Sequence, residues 1–276
     1  MPTLAVSTYS FGPECTAKQG IDFAVQHGFR GLELGSWTLW PDVMSDTDVR
    51  TVRVRAAANG IDLSIHFIHR GVAPASHDAE RRRSHLADLA RTLDLARDIG
   101  ARPIVVHPGP IDSPGVKPAA ASENVRREAI ENLVDFLSKG ARMAEERGAV
   151  LCVENLTHMP GYVLQSYAEL VEVVETVDSP AVQITLDIGH ADLSDGIRPA
   201  VEAFSRHLRH VHMHDSNGSR DHFEVGKASL DLSEHLDFLE PYPFTLAIES
   251  RDESDPEGCV LRSRDRLREL LGSAAR

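Results

Sequence analysis

Residues 209 to 216 read RHVHMHDS, with His210, His212 and His214 at alternate positions and apolar Val211 and Met213 between them. A strand imposes this period of two, so the imidazoles share one face and the hydrophobes the other. Five other β-like runs carry ionisable side chains near their C-terminal ends. IDLSIHF has His66, RPIVVHPG has His107, VLCVENL has Glu154, QITLDIGH has Asp187 and His190, and FTLAIES has Glu249. GLELGS adds Glu33. Imidazoles and carboxylates are the groups that bind divalent cations and move protons near neutral pH. Several carboxylates gathered together need a counter-charge, because taking each out of water costs several kcal/mol. A divalent cation supplies one. The mixture suits Mn²⁺, Mg²⁺, Co²⁺ or Zn²⁺, the oxygens favouring the first two and the histidines zinc.

These residues share a site only if the runs form one sheet with its ends aligned. The β-like runs are eight: 4–10, 31–36, 61–67, 102–109, 150–156, 183–190, 210–216 and 244–250. Helix-like segments alternate with them. The clearest is 79–99, where Leu86, Leu89, Ala90, Leu93, Ala96 and Ile99 form an apolar stripe near the helical period. Gly28, Gly60, Gly100 and Gly148 each stand between a helix and the next strand, where a left-handed residue turns the chain. Strict alternation predicts a parallel sheet with right-handed crossovers, and eight units close a (β/α)8 TIM barrel as a single domain over 1–276. The other parallel arrangement, an open doubly wound sheet, lacks its signature: TYSFGPECT after the first strand has one glycine, not a phosphate-binding trio. The Pro/Gly-rich piece 107–118 reads as a long loop. In the sixth strand Ile184, Leu186 and Ile188 must face the helices, sending Thr185 and Asp187 inward. The same parity directs Glu33, His66, His107, Glu154, His212 and Glu249 inward at one mouth, the rim where barrels gather catalytic groups.

Composition narrows the partners. Forty-two acids against 29 bases give a net charge of −13, which argues against a nucleic-acid partner. The runs at Arg81–Arg83 and 262–268 interleave with acids, as on solvated helix faces. Three distant cysteines imply no disulfide framework, and no window approaches a membrane span or a signal peptide. The expectation is a cytoplasmic protein free of the membrane, with a homo-oligomer left open. His27, His77, His85 and His235 fall in helical or loop segments and are expected to be solvated.

Taken together, GLELG (31–35), VVHPG (105–109), VEN (153–155), LDIGH (186–190), HVHMHDSN (210–217), HFEVG (222–226) and IES (248–250) resemble the xylose isomerase-like barrel superfamily. That superfamily holds sugar isomerases and epimerases and also endonuclease IV, and the resemblance runs over essentially the whole chain. In its ketose 3-epimerases one metal is held by Glu, Asp, His and Glu from strands five to eight. These positions match Glu154, Asp187, His212 and Glu249 here. Endonuclease IV carries three zinc ions, and its additional ligand positions match His66, His107, His190 and His222. Its Asp-x-His pair becomes Arg220-Asp221-His222, with the Asp displaced by one residue, which counts against a third metal.

The resemblance therefore implies metal-dependent isomerisation or epimerisation of a keto- or aldo-sugar or related polyol. Glu154 and Glu249 would exchange protons with the two faces of an enediolate. His190 and His222 would bind hydroxyls or polarise the carbonyl, and His66 and His107 would bind substrate or a second metal. Glu33 would hold a sugar hydroxyl or an arginine, and Trp37 would form an apolar wall or simply pack. His210, deepest on its strand, reads as structural, and His214 as a hydrogen-bonding support or a ligand. The alternative is an endonuclease IV-like multi-zinc phosphodiesterase acting on abasic DNA.

Overall fold

The computed structural model describes residues 2–35, 42–239 and 242–272. Trp37 lies outside them. Eight parallel strands close a barrel in sequence order: β1 (Thr3–Ser7), β2 (Gly31–Gly35), β3 (Asp62–His66), β4 (Pro103–Val106), β5 (Val150–Glu154), β6 (Val182–Asp187), β7 (Leu208–Met213) and β8 (Thr245–Ile248). All eight expected strands are present, each ending earlier than its apolar run. β6, for instance, stops at Asp187 because that side chain accepts the backbone N–H of His190 and starts a helix. Parity holds as read: Ile184 and Leu186 are fully buried towards the helices, and Asp187 lies beside His212 of β7.

The outer ring is α1 (Ala17–Gln26), α2 (Asp46–Asn59), α3 (Ala79–Ile99), α4 (Glu123–Arg147), α5 (Tyr167–Val177), the short α6 (Ile188–Asp192), α7 (Ile197–Phe204) and α8 (Pro256–Leu271). Among the described residues none is long and apolar enough to cross a membrane. Gly60, Gly100 and Gly148 end α2, α3 and α4 with φ of 60°, 87° and 69°, a region costly to residues with a Cβ. α3 has the expected bounds. Its buried face takes in Leu89, Leu93, Ala96 and Ile99, and also His85, only 8% exposed. His85 was expected in water. It stands one turn before Leu89, so the same face carries it inside, and burial lowers its pKa.

The seventh crossover departs from strict alternation. Between β7 and β8 the described residues form no α-helix, only 3-10 turns at Leu232–Glu234 and Leu236–Leu239. The stretch SNGSRD is rich in residues whose side chains compete for backbone groups. Asp215, fully buried, organises it by accepting the backbone N–H groups of Ser216 (2.7 Å), Gly226 (2.9 Å), Ala228 (2.9 Å) and Leu230 (3.1 Å). The 107–118 segment is irregular, as expected, and pairs with the loop after β5 through a Pro110–Tyr162 bridge.

Candidate active site

His66, Glu154 and Asp187 are the last residues of β3, β5 and β6, His212 is next to last on β7, and His107 and Glu249 directly follow β4 and β8. Strand order therefore fans them round the C-terminal mouth. His212, fully buried, is the hub. Its Nδ1 lies 3.3 Å from Glu249 Oε2 and 3.6 Å from both Glu154 Oε1 and Asp187 Oδ2. Its Nε2 points the other way, 3.4 Å from Glu33 Oε1. Glu33 is fully buried on β2, and its Oε2 accepts hydrogen bonds from His210 Nε2 (2.8 Å) and Ser64 Oγ (3.3 Å).

Each carboxylate is held from behind. Asp187 Oδ1 accepts the His190 backbone N–H at 2.7 Å, and its Oδ2 lies 2.9 Å from His214 Nε2. The His222 backbone N–H donates to His214 Nδ1 at 3.0 Å, so Nε2 carries the neutral ring's proton and donates it to Asp187. His214 thus supports Asp187. Gly189 makes room, since a Cβ there would come within 2.1 Å of His214 Cε1. Asn155 accepts the Asp187 backbone N–H (2.8 Å) and donates to its carbonyl (3.1 Å). Ser7 Oγ donates to Glu249 Oε1 at 3.0 Å.

A second group adjoins the first through Glu154. Its Oε2 lies 2.9 Å from His107 Nε2 and 3.3 Å from His66 Nε2, and these two nitrogens are 3.2 Å apart. His66 Nδ1 contacts the Phe67 carbonyl at 2.8 Å, which makes it the donor and leaves Nε2 with a lone pair. His69 stacks on His107 with ring centroids 4.7 Å apart and completes a three-histidine cluster. Sequence reasoning missed His69 because it lies beyond β3, where strand parity says nothing; its only signal was the His-x-x-His spacing from His66. On the far side His190 Nδ1 meets Glu154 Oε1 at 3.2 Å, and His190 Nε2 meets Asp221 Oδ2 at 3.6 Å. Asp221 Oδ1 is 4.0 Å from His222 Nε2, so the one-residue displacement still leaves this acid beside both histidines. His222, with φ of 60°, packs its ring 4.7 Å from that of Tyr9.

Burial opposes charge throughout this mouth, and local partners decide the outcome. For Glu154, His107 and His212 outweigh burial and hold the carboxyl well below its ordinary range, as His190 and His214 do for Asp187. For Glu249 burial prevails over the pull of His212 and, with Glu33 and Glu154 nearby, lifts its pKa to about 7. Burial likewise disfavours charged His190, yet Asp187 and Glu154 raise it to about 10. Burial, then His107 and His66, push His69 down to about 3.

The donor set fits a divalent cation. Glu154, Asp187 and His212 offer ligand atoms within 4.8 Å of one another, and Glu249 adjoins them at His212 Nδ1. Among the described residues both nitrogens of His212 are buried without a hydrogen-bond partner, and Glu154 Oε2, though 2.9 Å from His107 Nε2, makes no well-aligned hydrogen bond, a cost that a cation among them would remove. The mouth above is a cavity of about 210 Å³ bounded by Tyr9, Arg70, Thr157 and Tyr162 as well as the histidines. A larger cavity of about 510 Å³ opens at the opposite end, round Arg209 and Phe244. It contains no histidine or cluster of acids among its lining residues, so chemistry and not size marks the site.

A profile described as Xylose isomerase-like TIM barrel matches residues 21–270. An uncharacterized protein of Methanocaldococcus jannaschii is 28% identical over 217 residues, 76% of this chain and 70% of that one. D-psicose 3-epimerase of Agrobacterium fabrum is 28% identical over 238 residues, 80% of this chain and 78% of the relative. A probable endonuclease 4 of Mesomycoplasma hyopneumoniae is 25% identical over 158 residues, 52% of this chain and 53% of that one. The solved structure of an L-ribulose 3-epimerase superposes with a TM-score of 0.82 at 18% identity, covering 99% of this chain and 96% of the other, a likeness of fold.

Proposed function

From the premise that this chain belongs to the xylose isomerase-like TIM barrel family, we propose that it is a divalent-metal-dependent epimerase or isomerase of a small keto- or aldo-sugar or related polyol. The observation that carries the reading is His212 Nδ1 facing one oxygen each of Glu154, Asp187 and Glu249 within 3.6 Å. The similarity to a D-psicose 3-epimerase over 80% of the chain supports the substrate class.

Glu154, Asp187, His212 and Glu249 would hold the cation. When bound, it would polarise a carbonyl and adjacent hydroxyl, making the neighbouring C–H acidic. Glu154 and Glu249 approach from β5 and β8, on either side of the β6–β7 pair, and would flank a substrate carbon held between them. One carboxylate would take the proton from one face and the other would return a proton to the opposite face, which inverts the centre. His190 and His222, on the side of Asp221, would bind hydroxyls. His66 and His107 would bind a further hydroxyl or a second cation shared through Glu154.

The test is solvent exchange. With Mn²⁺ supplied in D₂O, the protein should introduce deuterium at the carbon next to the carbonyl of at least one ketose, and elemental analysis should find metal in the wild type and strong loss in His212→Ala. No wash-in with any ketose or aldose offered would sink the proton-transfer reading. A second reading, a multi-metal phosphodiesterase for abasic DNA, draws on the two additional clusters, His66 with His69 and His107, and His190 with Asp221 and His222.

A further inference from the structure

Glu33 lies below the mouth and contributes no atom to the surface, yet it is a fully buried carboxylate. Such a group is expensive unless both oxygens are used. Oε2 is used, by His210 at 2.8 Å and Ser64 at 3.3 Å. Among the described residues Oε1 has no hydrogen-bond partner, and neither has His212 Nε2, which lies 3.4 Å away. The two unpartnered atoms thus face each other. The contact crosses the barrel, because β1 and β8 separate β2 from β7 in the ring. The His66 ring, 5.7 Å from that of His212 and tilted 18° from it, stacks on its face and fixes its plane. A simple pairing of Glu33 with His210 would explain Oε2 and leave the aim of Oε1 without a reason.

We infer that Glu33 is a positioning residue that receives the Nε2–H of His212 and so presents the Nδ1 lone pair to the cation. The inference rests on the metal site proposed above and specifies which nitrogen of His212 faces it and what orients the ring. A ligating imidazole is commonly held through its other N–H in this way, fixing tautomer and orientation together. Glutamine at position 33 keeps the shape and loses the match. Its one carbonyl oxygen can accept from one imidazole, while its NH₂ meets the other imidazole's N–H donor.

The test titrates chelator-stripped full-length protein with Mn²⁺ by calorimetry. Glu33→Gln should bind about 10- to 100-fold more weakly than wild type, the usual cost of losing such a partner. Ser64→Ala, which leaves the carboxylate in place, should bind within a few-fold of wild type. Glu33→Gln binding as tightly as wild type overturns the inference while leaving the metal site standing. Wild type that binds no Mn²⁺ removes the metal-dependent reading and this inference with it. If Glu33→Gln fails to fold, nitrogen-15 spectra of histidine-labelled, Zn²⁺-loaded wild type decide instead. A proton on His212 Nε2 and none on Nδ1 is expected, and the reverse pattern overturns the assignment.

Discussion

In the proposed mechanism Glu154 and Glu249 carry two roles at once, ligation and proton transfer, so a substitution has to keep their shape while removing basicity. Glu154→Gln and Glu249→Gln do that. Each should lower turnover by at least about 10²–10⁴, the usual contribution of a general base, with lost ligation adding to the defect. Folding should suffer far less, because the amide fills the same volume at the rim. Turnover and thermal melts measured on the same samples check this, and melting that falls in step with activity would argue for a structural role. The types and approximate depth of these residues were legible from period-two alternation. Their nitrogens and oxygens were not. Which face of His212 meets Glu33 depends on a contact between strands that are not neighbours, and no pattern within either strand encodes it.

The eight strands were readable because short β-like runs alternate with helix-like segments, most of them with a polar residue at or just beyond the C-terminal end, and α3 because its stripe follows the helical period. Two elements resisted for physical reasons. The crossover after β7 is organised by Asp215 through partners 11, 13 and 15 residues away, beyond any local signal. The helix after β6 begins inside an apolar run, because Asp187 serves as both site residue and cap. Gly189 lies in that cap. Gly189→Ala should destabilise the protein by about 1–3 kcal/mol or more through overpacking against His214. The denaturant midpoint measures this, and weaker Mn²⁺ binding should accompany it as His214 leaves Asp187. On α3, burial depresses His85 below its unfolded value of about 6.5. The unfolded chain then binds more protons, so this part of the stability is present above about pH 6.5 and is lost as pH falls below it. His85→Leu should therefore gain melting temperature relative to wild type between pH 7 and pH 5. A gap that stays constant with pH would rule out this linkage.

At the scale of the whole molecule, net charge bears on the choice of substrate. Tight duplex binding needs several phosphate contacts, and log affinity falls by about 0.9 per phosphate for each tenfold rise in salt. A chain at −13 should bind an abasic duplex weakly and leave it intact, with zinc or manganese present as in a chelated control. Metal-dependent incision with two or more metals per chain would favour the phosphodiesterase instead. The barrel's seam carries a further consequence. β1 pairs with β8, and at its upper end Ser7 holds Glu249 across 242 residues of chain. Contacts of such long sequence separation are entropically the slowest to form. The four proposed ligands, Glu154, Asp187, His212 and Glu249, all come from β5 to β8, strands consecutive in sequence and paired in order, so only the hold of Ser7 on Glu249 needs the seam. A chain that folded in this order would assemble the four ligands first and fix the Glu249 carboxylate through Ser7 only when the ring shuts, so a bound ion would lend the closed seam its support through that one hydroxyl.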